Sequence, residues 1–227
     1  SSTMRTLIFF TLICPLEWGL GHSGRMIALA EKLQESDFNI IFGAGKKQLA
    51  FLRNEMPGCN YISFPGFRPL YSGFLPQYLV IFFQIPLLIY HSIREHLILK
   101  KLISDLLIDI VISDNRFGLW NKNIQTIYIT HQLRIPFPHF FSFLESTGTY
   151  LHGKIISKYS LCFIPDLPGD LNLTGKLTHG LKLPYNVRFI GILSRFRKTD
   201  KLHSSSFPKE GMTTVILSGP ESQRSIL

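Results

Sequence analysis

The fold is decided by one stretch of sequence, Trp18-Gly19-Leu20-Gly21-His22-Ser23-Gly24-Arg25. It follows an apolar run at residues 6–14 and precedes an amphipathic stretch at residues 26–33, an order that predicts strand, glycine-rich loop and helix. Glycines let the backbone turn tightly and approach a ligand, and the first turn of a helix presents unpaired N–H groups to it. Because a histidine side chain is suited to act as a base, the stretch indicates a site that holds a polar or anionic substrate beside a candidate base.

Two other interpretations of this stretch compete with that one. Gly19, Gly21 and Gly24 match the dinucleotide-binding pattern G-x-G-x-x-G, in which the first glycine directly follows the strand and an acidic residue about 20 positions later binds the ribose. Here four residues intervene, and no acidic residue follows the next predicted strand at residues 38–42. The context therefore disfavours a nicotinamide enzyme. A glycine-rich turn with a structural histidine stays open as the simpler alternative.

Composition limits the class of protein. The chain has 227 residues, 45% of them hydrophobic and 17% charged, which suffices for one good core or for one domain and part of another. The net charge of +9 implies an anionic partner such as phosphate, nucleic acid or an acidic membrane surface. Cys14, Cys59 and Cys162 lack metal-ligand spacing and indicate reduced, cytosolic thiols. No signal-peptide cleavage site follows the apolar start, and no apolar stretch reaches the roughly 20 residues of a membrane span.

Short apolar runs alternate with helical patterns along the chain. The predicted strands after the first are residues 38–42, 61–64, 109–113, 126–130 and 161–164. Since they are almost continuously apolar, we expect an α/β fold with a Rossmann-like parallel sheet and helices on both faces. Ligands bind such sheets beyond the carboxyl ends of the strands. Three polar clusters lie at that edge, namely Gly19 to His22, Asp114-Asn115-Arg116 and His131-Gln132.

Two of these side chains have more than one possible role. Asp114 is a second candidate base, or the residue that orients the base, but an aspartate at a strand-to-helix turn also caps helices. His131 is a candidate for substrate binding, and its alternative role is a hydrogen bond to a neighbouring loop carbonyl.

The pattern changes near the end of the chain. After a first domain at residues 4–183, residues 184–211 are basic and rich in serine, which predicts a linker. A further strand at residues 213–217 opens into Ser218-Gly219, and we expect residues 212–227 to begin a second α/β domain that this chain does not complete.

Together these motifs resemble MurG-type glycosyltransferases, family-28-related proteins with the two-domain GT-B fold. Gly19-Leu20-Gly21-His22 is similar to the N-terminal glycine loop of that family, which ends in histidine. His131-Gln132 is similar to its His-Glu pair, and residues 109–118 resemble the preceding strand and loop. Residues 191–195 resemble the exit into the interdomain linker. Leu133 and Arg134 stand where MurG has Gln-Asn, which disfavours a lipid-linked muropeptide as acceptor.

The resemblance implies that this chain is the acceptor-binding half of an inverting glycosyltransferase and is inactive alone. Such enzymes move a sugar from a nucleotide-diphospho-sugar, UDP-linked in MurG-like proteins, to a glycan or lipid-linked acceptor. They need no cofactor and usually no metal, and the chain lacks the D-x-D motif of metal-dependent transferases of the other major fold. The implied location is the cytoplasmic face of the cell membrane, with no nucleic-acid partner. The alternatives are a nucleotide-sugar 2-epimerase of the same fold and a non-catalytic, membrane-binding Rossmann-like module.

The resemblance and the strand-end positions together assign candidate site residues. The candidate catalytic residues are His22 and Asp114. The candidates for binding the acceptor or a phosphate are Gly19, Gly21, Ser23, Arg25, Asn115, Arg116, His131, Gln132 and Arg134. The donor-side candidates are Ser194, Arg195, Ser218 and Gly219, and no residue is assigned to a metal.

One helical region carries an unusual amount of apolar surface. Residues 74–90 are more apolar than one helix face can bury against a sheet, and Arg94, Lys100 and Lys101 follow closely. This combination predicts peripheral attachment to an anionic membrane surface. A helix buried on both sides is the alternative.

Overall fold

The computed structural model describes residues 9–70, 72, 74, 77–137 and 139–194. Its strands are β1 (Phe9–Cys14), β2 (Phe38–Ala44), β3 (Asn60–Ser63), β4 (Ile110–Asp114), β5 (Gln125–Ile129), β6 (Leu161–Ile164) and β7 (Val187–Phe189). Its α-helices are α1 (Leu20–Gln34), α2 (Lys46–Glu55), α3 (Gln77–Leu106) and α4 (Glu145–Ile156). Short 3₁₀ segments lie at His139–Leu144 and Gly175–Leu177.

All seven of these strands form one parallel sheet in the order β3-β2-β1-β4-β5-β6-β7. Alternate residues of a strand point to opposite faces, so each strand contributes to two cores. On one face, Leu12 and Val111 pack in a core that also holds Leu99 of α3 and Ile156 of α4. On the other face, Ile13 and Ile112 of the same two strands pack with residues of α1 and α2. The predicted Rossmann-like α/β fold with helices on both faces is confirmed.

The strand order reverses beside β1, which pairs with β2 on one side and with β4 on the other. The connections that leave these two neighbouring strands therefore run in opposite directions and open a crevice at their carboxyl ends. The N-terminus of α1, the last residue of β4 and the chain after β5 all face this crevice region. Three segments that are distant in sequence thus come together at one edge of the sheet.

Three boundaries differ from the sequence prediction. Helix α1 begins at Leu20, so Gly21 and His22 belong to its first turn and not to the predicted glycine-rich loop. Helix α4 was not predicted, since Gly148 and Gly153 interrupt its apolar pattern. Strand β7 lies inside the predicted linker at residues 184–211, and the sheet therefore extends to Phe189.

Helix α3 continues through Pro86 and leaves much of its apolar surface uncovered. Its inner side reaches the core through Leu99. The outward residues with more than half of their area exposed are Phe82, Phe83, Ile89, Tyr90, Ile93 and Leu97. The alternative of a helix buried on both sides is wrong for this part of the chain. Within the described residues, no helix combines the length and the apolarity of a membrane span.

Candidate active site

Four polar side chains meet at the crevice beside β1. His22 and Arg25 lie one turn apart on α1 and therefore share a helix face. Asp114 is the last residue of β4, and His131 follows β5 closely. The structure thus brings together His22, Arg25, Asp114 and His131, a set that we call the switch-point cluster.

The carboxylate of Asp114 is the centre of this cluster. Its side chain has no exposed surface, and Oδ2 accepts a hydrogen bond of 2.9 Å from Nε of Arg25, while Oδ1 accepts one from a terminal guanidinium nitrogen. Nδ1 of His22 lies 2.9 Å from the same Oδ2. Burial by itself raises the pKa of Asp114, but the neighbouring His22 and the charge of Arg25 outweigh it and hold this pKa below its usual value. Asp114 is therefore an anion at neutral pH.

His131 is held as a neutral ring. Burial lowers its pKa, and the neighbouring charge of Arg25 lowers it further. Its Nδ1 lies 2.9 Å from a terminal nitrogen of Arg25, which can only donate, so Nδ1 carries the lone pair. The proton of the neutral ring is then on Nε2. His131 is suited to donating a hydrogen bond to a substrate oxygen and not to acting as a base through Nδ1.

His22 is the member of the cluster that is suited to act as a base. Its side chain is 18% exposed, whereas that of Asp114 is fully covered. When Nδ1 of His22 donates to Asp114, the lone pair is on Nε2, and the carboxylate stabilises the imidazolium that forms on proton uptake. The ring centroids of His22 and His131 are 6.0 Å apart. One substrate molecule can reach a base and a hydrogen-bond donor at this spacing.

The N-terminus of α1 adds positive polarity to the same edge. Gly19 precedes the helix without a capping side chain, and the first turn contains no acidic residue. The first N–H groups of a helix have no partner within it, and its N-terminus carries a partial positive charge. The backbone at Gly19 and Gly21 can therefore approach an anion closely, whereas the side chain of Ser23 is buried.

The other predicted site residues lie elsewhere. Asn115 accepts a 2.7 Å hydrogen bond from the hydroxyl of Tyr128 inside the domain. Arg116 is buried, with its guanidinium on Glu95 and the carbonyl of Gly43 at 3.2 Å each. It is not available to an external phosphate, and its predicted role in phosphate binding is therefore wrong. The spacing could not reveal this, because Glu95 is 21 residues away on α3.

Gln132 and Arg134 lie in the loop after β5, and their contacts are outside the switch-point cluster. The N–H of Gln132 bonds to Oγ1 of Thr130. Arg134 pairs with Glu145 of α4 at 2.7 Å and lines a cavity of about 620 Å³ along that helix. The remaining residues around this cavity are Leu133, Ser146, Thr149, Tyr150, Gly153, Lys154, Ile156, Ser157, Leu181, Lys182, Leu183 and Pro184.

Of the four donor-side candidates, the structure describes Ser194. Ser194 is exposed at the end of the described chain. Arg195, Ser218 and Gly219 lie outside the described residues. Among the residues with described positions, no group of three or more His, Cys, Asp or Glu side chains is placed to hold a metal ion.

The structure adds one buried carboxylate that the sequence analysis missed. Glu17 follows β1 and accepts hydrogen bonds from the N–H of Gly45 and, at 3.0 Å, from Nε of Arg68. A Cβ atom at position 45 would lie 2.6 Å from the Glu17 carboxylate, so a larger residue there would displace this carboxylate. Glu17 thereby fixes the turn before α2 and the loop that contains Arg68. Its position three residues after the first strand, at the same edge as the other candidates, was the available signal.

Comparison with known proteins gives similarity in fold. No family model matches the sequence, and no curated protein matches it. Among solved structures, MurG from Acinetobacter baumannii is similar with a TM-score of 0.42 and 8% identity over 71% of this chain and 42% of its own. The calicheamicin glycosyltransferase CalG4 has a TM-score of 0.42 and 11% identity, covering 71% and 48%. A Listeria monocytogenes protein described as a UDP-N-acetylglucosamine 2-epimerase has a TM-score of 0.41 and 12% identity, over 70% of this chain and 39% of its own.

MurG-type proteins are thus among the solved structures to which this chain is similar in fold. This chain spans between 39% and 48% of the length of these three proteins. The similar structures also include an NADPH-dependent reductase. At such low identities the similarity says nothing about substrate, and any functional assignment depends on the geometry of the cluster.

The depressed pKa of Asp114 makes a testable contribution to stability. A carboxyl whose pKa is lower in the folded than in the unfolded state stabilises the fold above the unfolded pKa of about 4, and this contribution is lost as the pH falls through the folded value. We expect Asp114→Asn to lower the free energy of unfolding by about 3 kcal/mol at neutral pH, since Arg25 loses its buried partner. It should also reduce the loss of stability between about pH 6 and about pH 3. Urea unfolding at both pH values measures this.

The exposed residue Asp105 supplies the control, since Asp105→Asn should leave both the stability and its pH dependence nearly unchanged. Equal acid sensitivity of the wild-type protein and Asp114→Asn would contradict the assignment of an ionised Asp114.

Proposed function

We propose that this chain is the acceptor-binding half of an inverting glycosyltransferase that uses a nucleotide-diphospho-sugar. The observation that carries the proposal is the pair formed by His22 and the buried carboxylate of Asp114, 2.9 Å apart at the edge where parallel sheets bind ligands. Sugar transfer to a hydroxyl needs a base for the acceptor and stabilisation for a departing diphosphate. The switch-point cluster offers both.

In the proposed reaction, the acceptor hydroxyl gives its proton to Nε2 of His22 while its oxygen attacks the anomeric carbon of the donor. The bond from that carbon to the diphosphate oxygen breaks, and both of its electrons leave with the nucleotide diphosphate. This single displacement inverts the anomeric configuration. Asp114 stabilises the imidazolium, and Nε2–H of His131 and the first N–H groups of α1 are suited to stabilise the developing negative charge.

The donor half of the site is a separate part of the proposal. This chain spans less than half of the similar transferase structures, and we infer that a second domain binds most of the nucleotide sugar, UDP-linked by resemblance. Alone, the chain should bind nucleotide sugars weakly and transfer none. The acceptor is a glycan or a lipid-linked molecule, and the cavity along α4 adjoins the loop that carries His131. Nothing in the cluster favours the epimerase alternative over transfer, because Asp114 is its single carboxylate and is committed to Arg25.

Peripheral binding to the inner face of the cell membrane completes the proposed function. Supporting it are the uncovered aromatic and aliphatic residues of α3, with Phe83 72% exposed, together with three basic residues on the same helix. Apolar side chains gain by entering the acyl boundary, and each basic residue near an anionic surface adds about 1 kcal/mol. A cytoplasmic protein held in this way needs no spanning helix.

The role of His22 is tested by replacing it in the protein that contains both halves. We expect His22→Ala to lower kcat for sugar transfer by roughly 10²–10⁴, the range for loss of a general base, with little change in unfolding midpoint. Transfer is measured with a panel of UDP- and GDP-sugars. The control is His179→Ala, a histidine in the loop after β6, which should keep the wild-type rate. A nearly normal kcat for His22→Ala would remove His22 as the base.

Vesicle co-sedimentation tests the membrane proposal. We expect binding to anionic vesicles at low salt, with less binding at high salt because surface charges are screened. The double variant Phe82→Ser/Phe83→Ser should lose most of this binding. The control Leu171→Ser/Leu173→Ser changes two leucines in the loop after β6 that are at least as exposed as the two phenylalanines, and it should bind as the wild type does. If the wild-type protein does not bind anionic vesicles at low salt, the proposed membrane attachment is wrong.

A further inference from the structure

One nitrogen of the switch-point cluster faces two incompatible partners. Nδ1 of His22 is 2.9 Å from Oδ2 of Asp114, which can only accept a hydrogen bond from it. The same Nδ1 is 2.7 Å from a terminal nitrogen of Arg25, which can only donate. In a neutral imidazole, a given nitrogen carries either a proton or a lone pair. His22 can therefore satisfy Asp114 or Arg25, but not both at once.

The surrounding contacts decide between these two partners. In this arrangement the guanidinium of Arg25 is held beside His22 by both oxygens of Asp114 and by Nδ1 of His131 at 2.9 Å. Asp114 already receives two hydrogen bonds from this guanidinium, so it does not need a third from His22. The N–H of Arg25 that points at His22 does need an acceptor. Nδ1 of His22 therefore accepts from Arg25 in this arrangement, and Nε2 of His22 carries the proton.

We propose that Arg25 is a positioning residue that masks the base at His22 until an anion draws its guanidinium away. The inference deepens the proposed function, in which that anion is the diphosphate of the donor. Once the guanidinium moves, Nδ1 of His22 takes a proton from water and keeps it as the donor of a hydrogen bond to Asp114, while Nε2 releases its proton to solvent. The net charge of the ring does not change. The lone pair on Nε2 then faces the acceptor hydroxyl only when a donor is present.

Exposure favours this order of events. The side chains of Arg25 and His22 are 14% and 18% exposed, and that of Asp114 is not exposed. An anion that enters the crevice therefore meets the guanidinium before it can meet the carboxylate. The uncapped first turn of α1, five residues before Arg25, gives the anion a second set of donors.

The tautomer of His22 is measured directly by NMR of the chain labelled with ¹⁵N-histidine, at about pH 8, where an ordinary histidine is neutral. Long-range ¹H–¹⁵N correlations distinguish a protonated from an unprotonated ring nitrogen, and a His22→Asn sample assigns the signals. In the wild-type chain we expect Nε2 of His22 to be protonated. In Arg25→Met the proton should move to Nδ1, whereas Arg53→Met, which removes a distant surface arginine, should leave the tautomer unchanged.

Pyrophosphate supplies a test that needs no variant. Titration of the wild-type chain with pyrophosphate should move the proton from Nε2 to Nδ1 of His22, and sodium chloride at equal ionic strength should not. If Arg25→Met does not fold, Arg25→Lys is the second variant. It keeps the positive charge but lacks the several N–H donors of the guanidinium, and the proton of His22 should again move to Nδ1. A wild-type chain that already has Nδ1 protonated, or that ignores pyrophosphate, overturns the proposal. These measurements do not depend on turnover. A tautomer shift in a protein that transfers no sugar would therefore support the masking role of Arg25 and contradict the proposed function.

Discussion

The structure of the site depends on one ion pair, the contact between the buried carboxylate of Asp114 and the guanidinium of Arg25. A carboxylate without exposed surface is very costly unless it is paired and fully hydrogen-bonded. The planar guanidinium meets both carboxylate oxygens and reaches His131 as well, so that α1, β4 and the chain after β5 are joined through one side chain. The positions of His22 and His131 follow from this pairing. Removing either charge leaves the other buried without a partner.

The sheet supplies the other constraint. Because β1 lies between β2 and β4, the reversal of strand order opens the crevice beside the N-terminus of α1. The uncapped first turn of that helix and the charge of Arg25 make this edge attractive to anions, while the buried Asp114 keeps a negative charge below it. Such an arrangement suits a reaction in which a diphosphate leaves and a hydroxyl loses its proton. The apolar outer surface of α3 lies on the opposite face of the sheet from α1, so membrane contact and helix α1 do not compete for the same side of the domain.

Local patterns predicted much of the fold, whereas the partners of charged side chains were not predictable. Continuous apolar runs indicated the parallel strands, and strand ends placed His22, Asp114 and His131 at one edge, because this placement follows from the direction of parallel strands alone. Which cation meets which carboxylate depends on contacts between residues about 90 positions apart, as between Arg25 and Asp114. Two residues of one short segment illustrate the limit, since Asp114 contacts His22 and Arg25 at the crevice while Arg116 points inward to Glu95. Helix α4 escaped prediction for a local reason, the two glycines in its apolar pattern.

The most direct test of a reaction centre at the switch point is a crystal structure of the protein containing both halves, soaked with UDP. We expect the diphosphate to lie at the first turn of α1, within about 2.6–3.2 Å of Nε2 of His131 or of the displaced Arg25 guanidinium. Nδ1 of His22 should then donate a hydrogen bond to Asp114. A diphosphate bound away from this crevice, with the contacts between Arg25 and Asp114 unchanged, would contradict it.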